Sequence, residues 1–189
     1  MVFEDKATKS IVNGDIYFGG NMLTEKEFRQ FWEIYEYSFP EAEKRRESDQ
    51  RKLMKNKRYS IKTYCEKGDM VGFITFWHFD TFTFIEHFAI KEALRGSGYG
   101  RKILEDVKKH YGDNLVLEVE LPNETMAIRR IDFYEKAGFY YNNFDYIQPP
   151  LKKEGKSIPL RLMSSPVKLE EKDFEAIKDI LYTEVYQVS

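Results

Sequence analysis

Three glycines fall within five residues at Gly96-Ser97-Gly98-Tyr99-Gly100, at the seam between a run of strands and a helix. Upstream, residues 59–66, 70–79 and 83–90 are rich in β-branched and aromatic side chains. They are separated by Lys67-Gly68-Asp69 and Asp80-Thr81, which predicts an antiparallel meander. Downstream, Tyr99, Ile103, Leu104 and Val107 repeat with helical spacing to about His110. A glycine-rich turn here either simply caps the helix or lets the unpaired N–H groups of its first turn converge on an anion, with Arg95 adding positive charge at the rim. Two common nucleotide loops do not fit. Gly100 is followed by Arg101-Lys102, without the Lys-Ser/Thr ending of a Walker loop, and the last glycine spacing is wrong for a dinucleotide fingerprint.

The remaining chain builds around this seam. Thr24 and Glu27 form a capping box ahead of Phe28, Phe31, Trp32 and Tyr35, predicting an amphipathic helix to about Ser38. Residues 41–58 carry eight basic and four acidic side chains on a second short helix, read as a solvated face. After the loop, residues 115–121 read as a strand, 124–137 as a helix stopped by Gly138, and 139–146 as a strand. A short strand at 160–164 and a helix marked by Phe174, Ile177 and Leu181 complete the order. The expected fold is α/β, with a mixed, mostly antiparallel central sheet flanked by helices. We divide it into one domain over residues 23–165 and a C-terminal helical extension, 166–189, packed on it. Residues 1–22 read as a hairpin turning at Asn13-Gly14 or as a leader without a role in function.

Composition narrows the function. With 30 Lys+Arg against 32 Asp+Glu the formal net charge is −2, too balanced for a dedicated nucleic-acid binder. The 15 Phe, 13 Tyr and 2 Trp supply a core without disulfides, and the single Cys65 excludes a multi-cysteine metal site. Cys65 reads as a small structural hydrophobe in a reducing, cytoplasmic protein. His78 and His110 lack ligand-spaced neighbours, so no metal is expected. No apolar run is long enough to cross a membrane, and the acidic N-terminus fits neither a secretory signal nor a transit peptide.

Arg95, Gly98 and Gly100 resemble the acyl-coenzyme A loop of the GCN5-related N-acetyltransferase (GNAT) superfamily. Downstream, Asn123, Ala127 and the run Phe133-Tyr134-Glu135-Lys136-Ala137-Gly138-Phe139 are similar to its second signature. The two motifs stand in the family's order, and the resemblance covers residues 23–147. Tyr146-Ile147-Gln148-Pro149-Pro150 looks like a tail of some uncharacterised bacterial members, implying a bacterial source. The resemblance implies an acetyl-CoA-dependent N-acetyltransferase, monomeric or homodimeric, acting on a primary amine of a small molecule or peptide. A non-catalytic acyl-CoA-binding sensor or interaction module is the alternative.

It also implies site residues. Arg95, Gly96, Ser97, Gly98, Tyr99 and Gly100 would cradle the coenzyme pyrophosphate, the backbone of Phe88, Ala89 and Ile90 would pair with the pantetheine arm, and Asn123 would contact the coenzyme at a helix start. Asn123 is equally an ordinary N-cap. Tyr134 matches the tyrosine that protonates the leaving thiolate, though its spacing with Ile131 also suits a core aromatic. For the base, Glu86 and Glu118 are candidates, since unneutralised carboxylates within a sheet belong in a wet cleft; pairing with Arg or Lys is the structural alternative. Glu118 occupies the place, five residues before Asn123, where some members keep their base. By strict alternation Glu86 shares a side with Phe84, Phe88 and Ile90, and His87 points away as a structural histidine. For the acceptor, aromatics beside carboxylates favour a cation, while Arg45, Arg46 and residues 55–58 favour an anionic group. Peptide N-termini, amino acids, polyamines and aminoglycosides all fit.

Overall fold

The computed structural model describes residues 23–152 and 154–188. The reading of residues 1–22 lies outside the described residues. Helix α1, Glu25–Ser38, opens on the expected capping box, in which Thr24 Oγ1 accepts from the Glu27 N–H and the Glu27 carboxylate accepts from the Thr24 N–H. Three antiparallel strands follow as read: β1 (Tyr59–Glu66), β2 (Asp69–His78) and β3 (Thr83–Ile90). Then come α3 (Tyr99–Tyr111), β4 (Leu115–Glu120), α4 (Thr125–Lys136), β5 (Tyr140–Gln148), β6 (Ile158–Ser165) and α5 (Glu171–Ile180). Past α5 the helix widens into π-type turns at Leu181–Tyr186.

The expected second helix is broken into a 3-10 turn, Glu41–Glu43, and a short α2, Glu47–Leu53. The reason is that Lys44 and Arg45 turn inward instead of facing solvent: each is 7% exposed. Lys44 Nζ donates to the Glu36 carbonyl and carboxylate at 3.2 and 3.1 Å, and the Arg45 N–H donates to the Tyr35 hydroxyl at 2.9 Å. A solvated face is therefore the wrong description of this segment's start.

The six strands form one sheet in the order β1-β2-β3-β4-β6-β5. Every pairing is antiparallel except β3 with β4, which is parallel. One face carries Phe31, Tyr35, Phe84, Val116, Leu162, Phe174 and Leu181, which packs α1 and α5 against it. The other carries Ile85, Leu117, Ile103, Leu104, Ile131 and Tyr134, which packs α3 and α4.

The parallel pairing is brief: Thr83, Phe84 and Ile85 align with Leu115, Val116 and Leu117, and the strands then part. At that point β3 bulges, because Thr75 pairs with His87 and Phe76 with Ile85, leaving Glu86 as the extra residue. A bulge bends its strand and resets the alternation. Phe84 and Ala89 therefore lie on the α1 face, while Phe88 and Ile90 pack on the α3/α4 face. This corrects the strict-alternation reading, which placed Phe84, Glu86, Phe88 and Ile90 together. Glu86 and His87 instead both turn towards α1 and the inward segment after it.

Further along the pair, where Gly72 faces Ile90, β2 must approach β3 closely. A Cβ on Gly72 would lie 2.5 Å from the Ala89 carbonyl oxygen and 2.8 Å from Ile90 Cδ1. Since the first contact is backbone, relief requires the strands to separate. Gly72→Ala is expected to lower stability by about 1–3 kcal/mol in urea unfolding, and an unchanged midpoint would show that the two strands have slack here.

Candidate active site

Where β3 and β4 part, a cavity of about 740 Å³ opens between them. Its coenzyme-compatible end is the glycine loop. Gly96 and Gly98 have φ of 78° and 86°, values that side-chain-bearing residues rarely adopt, and Gly98 is the N-cap of α3 with no side chain capping it. The N–H groups of the first turn are thus left without a capping side chain, on residues that line the cavity. Gly100 has a different role: a Cβ there would sit 3.1 Å from the Phe133 ring, so its absence lets α3 approach α4. Arg95 bridges the Ile90 carbonyl and the Ser38 hydroxyl at 3.1 and 3.2 Å, tying the loop to β3 and to the end of α1. Tyr99 donates its hydroxyl hydrogen to Glu66.

Of the residues expected to meet the coenzyme, Phe88, Ala89, Ile90, Arg95, Gly96, Gly98, Tyr99 and Gly100 line the cavity. Beyond Ile85, β3 has no strand partner on its β4 side among the described residues, so the backbone of Phe88, Ala89 and Ile90 is open to a ligand in the fork. Ser97 is exposed and lies off the cavity wall. Asn123 is also exposed, and the N-cap of α4 is Glu124 rather than Asn123, because Leu121 to Asn123 forms a tight turn before the helix begins. Sequence spacing placed the helix start one residue early.

The two candidate bases sit side by side where the strands diverge and have opposite environments. Glu86 lies on the wall, but both of its oxygens are bound by Arg45 at 2.7 and 2.5 Å, and its side chain is 1% exposed. Burial by itself would raise its pKa; the Arg45 charge, with help from His87, outweighs this and holds the carboxyl at about 2. The expectation of a free carboxylate in a wet cleft thus fails for Glu86. His87 lies close to it, with Nδ1 3.4 Å from a Glu86 oxygen, Nε2 2.9 Å from the Glu43 carbonyl, and ring edges against Tyr35 and Phe39.

Glu118 has no cationic partner among the described residues. Its carboxylate accepts hydrogen bonds from the hydroxyls of Tyr146 and of Tyr186, the latter at 2.8 Å, and from Gln148 Nε2 at 3.1 Å. Burial pushes its pKa up to about 7, the neighbouring charges of Glu86 and Glu43 adding to the rise while the two tyrosine hydroxyls oppose it. Tyr146 and Tyr186 are themselves pushed well above the ordinary tyrosine value by burial and by Glu118, so both remain donors. Sequence reasoning missed all three partners. Tyr146 and Gln148 carry a legible signal, since they alternate on one strand, but Tyr186 comes from the far C-terminus.

Tyr134 stands on the opposite wall, on α4, stacked edge-on against Phe133 and Phe139. Its hydroxyl has no hydrogen-bond partner among the described residues, and burial pushes its pKa up to about 12. Both alternatives from the sequence hold geometrically: the ring is part of the core, and the residue lines the cavity.

The sequence model of the acetyltransferase (GNAT) family matches residues 25–139. The chain belongs to that family. A GNAT-family acetyltransferase structure from Bacteroides thetaiotaomicron is 38% identical, covering 87% of this chain and 94% of that one, with a TM-score of 0.82. Two more distant structures share the fold alone. The ribosomal-protein-S18-alanine N-acetyltransferase of Escherichia coli is 18% identical over 84% of this chain and 98% of its own, TM-score 0.56. An aminoglycoside 6'-N-acetyltransferase complexed with coenzyme A is 14% identical over 78% and 95%, TM-score 0.58. A search of curated proteins finds no match. This GNAT acetyltransferase has, among its described residues, no helix long and apolar enough to cross a membrane.

The Arg45–Glu86 pair is buried deeply enough that losing one partner strands the other charge. Glu86→Gln is expected to cost about 3–5 kcal/mol in chemical denaturation, and the double variant Arg45→Met, Glu86→Leu to recover most of it. Because folding lowers the Glu86 pKa from 4.5 to about 2, its stabilisation is complete above pH 4.5 and is lost as pH falls through 2. A Glu86→Gln variant as stable as the parent would contradict the pairing.

Proposed function

We propose that this enzyme transfers an acetyl group from acetyl-CoA to a primary amine of a small molecule or peptide, with Glu118 as base and Tyr134 as acid. The observation that carries the reading is a buried carboxylate with a pKa near 7 on the wall of the cavity opposite an unengaged tyrosine hydroxyl. The cavity suits the coenzyme on chain geometry: a glycine loop with open N–H groups at one end, and an unpaired strand edge along the side. When bound, acetyl-CoA supplies an activated thioester carbonyl for the amine to attack, with departure of the thiol.

Each residue has one task in this reading. The α3 N-terminus and the loop through Arg95 neutralise the pyrophosphate, and the backbone of Phe88, Ala89 and Ile90 holds the arm in extended register. Glu118 takes the proton of the attacking nitrogen; a base near pH 7 is half ionised at neutral pH and still basic enough to accept it. Tyr134 keeps its proton throughout that range and delivers it to the departing sulfur. Glu86 is a positioning residue, fixing the inward Arg45 segment at the fork.

With Glu118 as base, kcat/KM rises with pH through an inflection near 7, because only the ionised carboxylate accepts a proton, separately from a second rise at the pKa of the free amine. Glu118→Gln is expected to lower kcat by about 10²–10⁴-fold and to erase the inflection near 7. A variant that keeps it would move the proton acceptor elsewhere, to solvent or to another group.

Tyr134→Phe removes only the hydroxyl and retains the ring packing. A fall in kcat of about ten- to a thousandfold is expected, with coenzyme affinity by calorimetry nearly unchanged. Wild-type turnover would remove Tyr134 from the chemistry.

A further inference from the structure

The α1-side wall of the cavity contains acceptors of hydrogen bonds and negative charge beyond what the base requires. Gln148 is 5% exposed and its amide orientation is fixed, because Nε2 donates to Glu118 at 3.1 Å and to the Tyr186 hydroxyl at 3.0 Å. Turning the amide over would set its oxygen against a carboxylate. Gln148 lines the cavity, and its remaining polar atom, Oε1, is buried and has no partner. A buried acceptor left unmatched is costly, and an N–H brought by a ligand would satisfy it.

Glu43 lines the same wall, at the end of the 3-10 turn after α1. Its carboxylate makes no ion pair or hydrogen bond among the described residues, and burial, with the charge of Glu120 nearby, raises its pKa, while His87 and Arg130 oppose the rise from a distance. By contrast, of the basic residues that favoured an anionic acceptor, Lys55, Lys57 and Arg58 lie off the cavity wall, and those nearer to it are engaged. Arg45 is bound to Glu86, Lys44 to Glu36 and Glu41, Arg46 to Glu154, and Arg130, on the cavity wall, to Glu120. The Phe39 ring supplies apolar surface on this wall.

We propose that the acceptor is a diamine or polyamine, with its reacting nitrogen held by Gln148 Oε1 beside Glu118 and a second, protonated nitrogen on Glu43. The inference rests on the transferase reading above and adds the acceptor class to it. An acceptor with a carboxylate in place of the second nitrogen meets Glu43 and Glu118 as like charges and is disfavoured. The reaction remains a simple transfer. The C–N bond forms as the thioester C–S bond breaks, one proton leaves the nitrogen for Glu118, and one reaches the sulfur from Tyr134.

The test is acetylation kinetics with three probes of equal chain length: 1,4-diaminobutane, butylamine and 4-aminobutanoate, with longer diamines added to find the best span. We expect kcat/KM for a diamine to exceed that for the matching monoamine by about tenfold or more, the amino acid to be poorest, and the diamine-to-monoamine ratio to fall towards one in Glu43→Gln. Gln148→Leu should raise KM for every amine. Coenzyme A affinity by calorimetry reports that each variant is folded. A ratio unchanged in Glu43→Gln overturns the second-nitrogen seat. Preference for the amino acid, or no turnover of any probe by a protein that binds coenzyme A, overturns the diamine class and leaves the transferase reading standing. Absence of coenzyme A binding overturns that reading itself.

Discussion

The short parallel pairing of β3 with β4 is the constraint on which the site depends. Three residue pairs hold the two strands together, enough to join the β1-β2-β3 meander to the β4-β6-β5 half, and the next residues on either strand are Glu86 and Glu118. Continuing the ladder would bring these carboxylates together in the middle of the sheet. Instead β3 bulges at Glu86 and the strands separate, so a backbone edge that would otherwise be consumed by its neighbour becomes available. The glycine loop at the end of β3 and the N-terminus of α3 then overhang the opening. Sheet topology, bulge and loop thus describe one gap from three directions.

The same fork sets two identical side chains to different chemistry. Glu86 is given a guanidinium that binds both oxygens, and its carboxyl stays ionised down to about pH 2. Glu118, on the next strand, is given neutral donors and no cation, and burial raises it to about 7. Opposite displacements of paired titratable groups mark acid–base sites more clearly than either shift alone. The cost of keeping Arg45 inside is met by its full pairing, and the ordered segment that carries it also presents Glu43 to the cavity.

Much of this was legible in the sequence, and the failures have physical causes. The capping box, the three-stranded meander, the glycine loop and the Phe133-Tyr134 helix depend on local pattern, and they appear where the pattern put them. The faces of β3 were misread because one extra residue at Glu86 reverses the alternation, and the bulge has no composition signal of its own. Arg45 looked solvated because its partner lies 41 positions away. Glu118 was singled out by its place five residues before Asn123, whereas its surroundings could not be read: Tyr146, Gln148 and Tyr186 become its neighbours only when β5 and the chain end fold back. The Asn123 error is smaller, a helix start shifted by one residue where a turn and an N-cap use the same residue types.

Glu118 and Tyr134 also reach the fork from opposite faces of the sheet. Glu118 shares its face with Val116, and its donors come from β5 and from the widened turns after α5; Tyr134 belongs to the core formed with α3 and α4. A closed sheet would keep these two layers apart. Only where β3 and β4 diverge can a ligand touch both, so a thioester lying along the open edge would have Glu118 on one side and Tyr134 on the other, as the proposed roles of base and acid require. The widened helix Leu181–Tyr186 then has a reason to be there: it places the Tyr186 hydroxyl against both the carboxylate and Gln148, closing the α1 side of the fork with neutral donors. A cation in that position would have stabilised the carboxylate as it did Glu86, and the basicity near neutral pH would be lost.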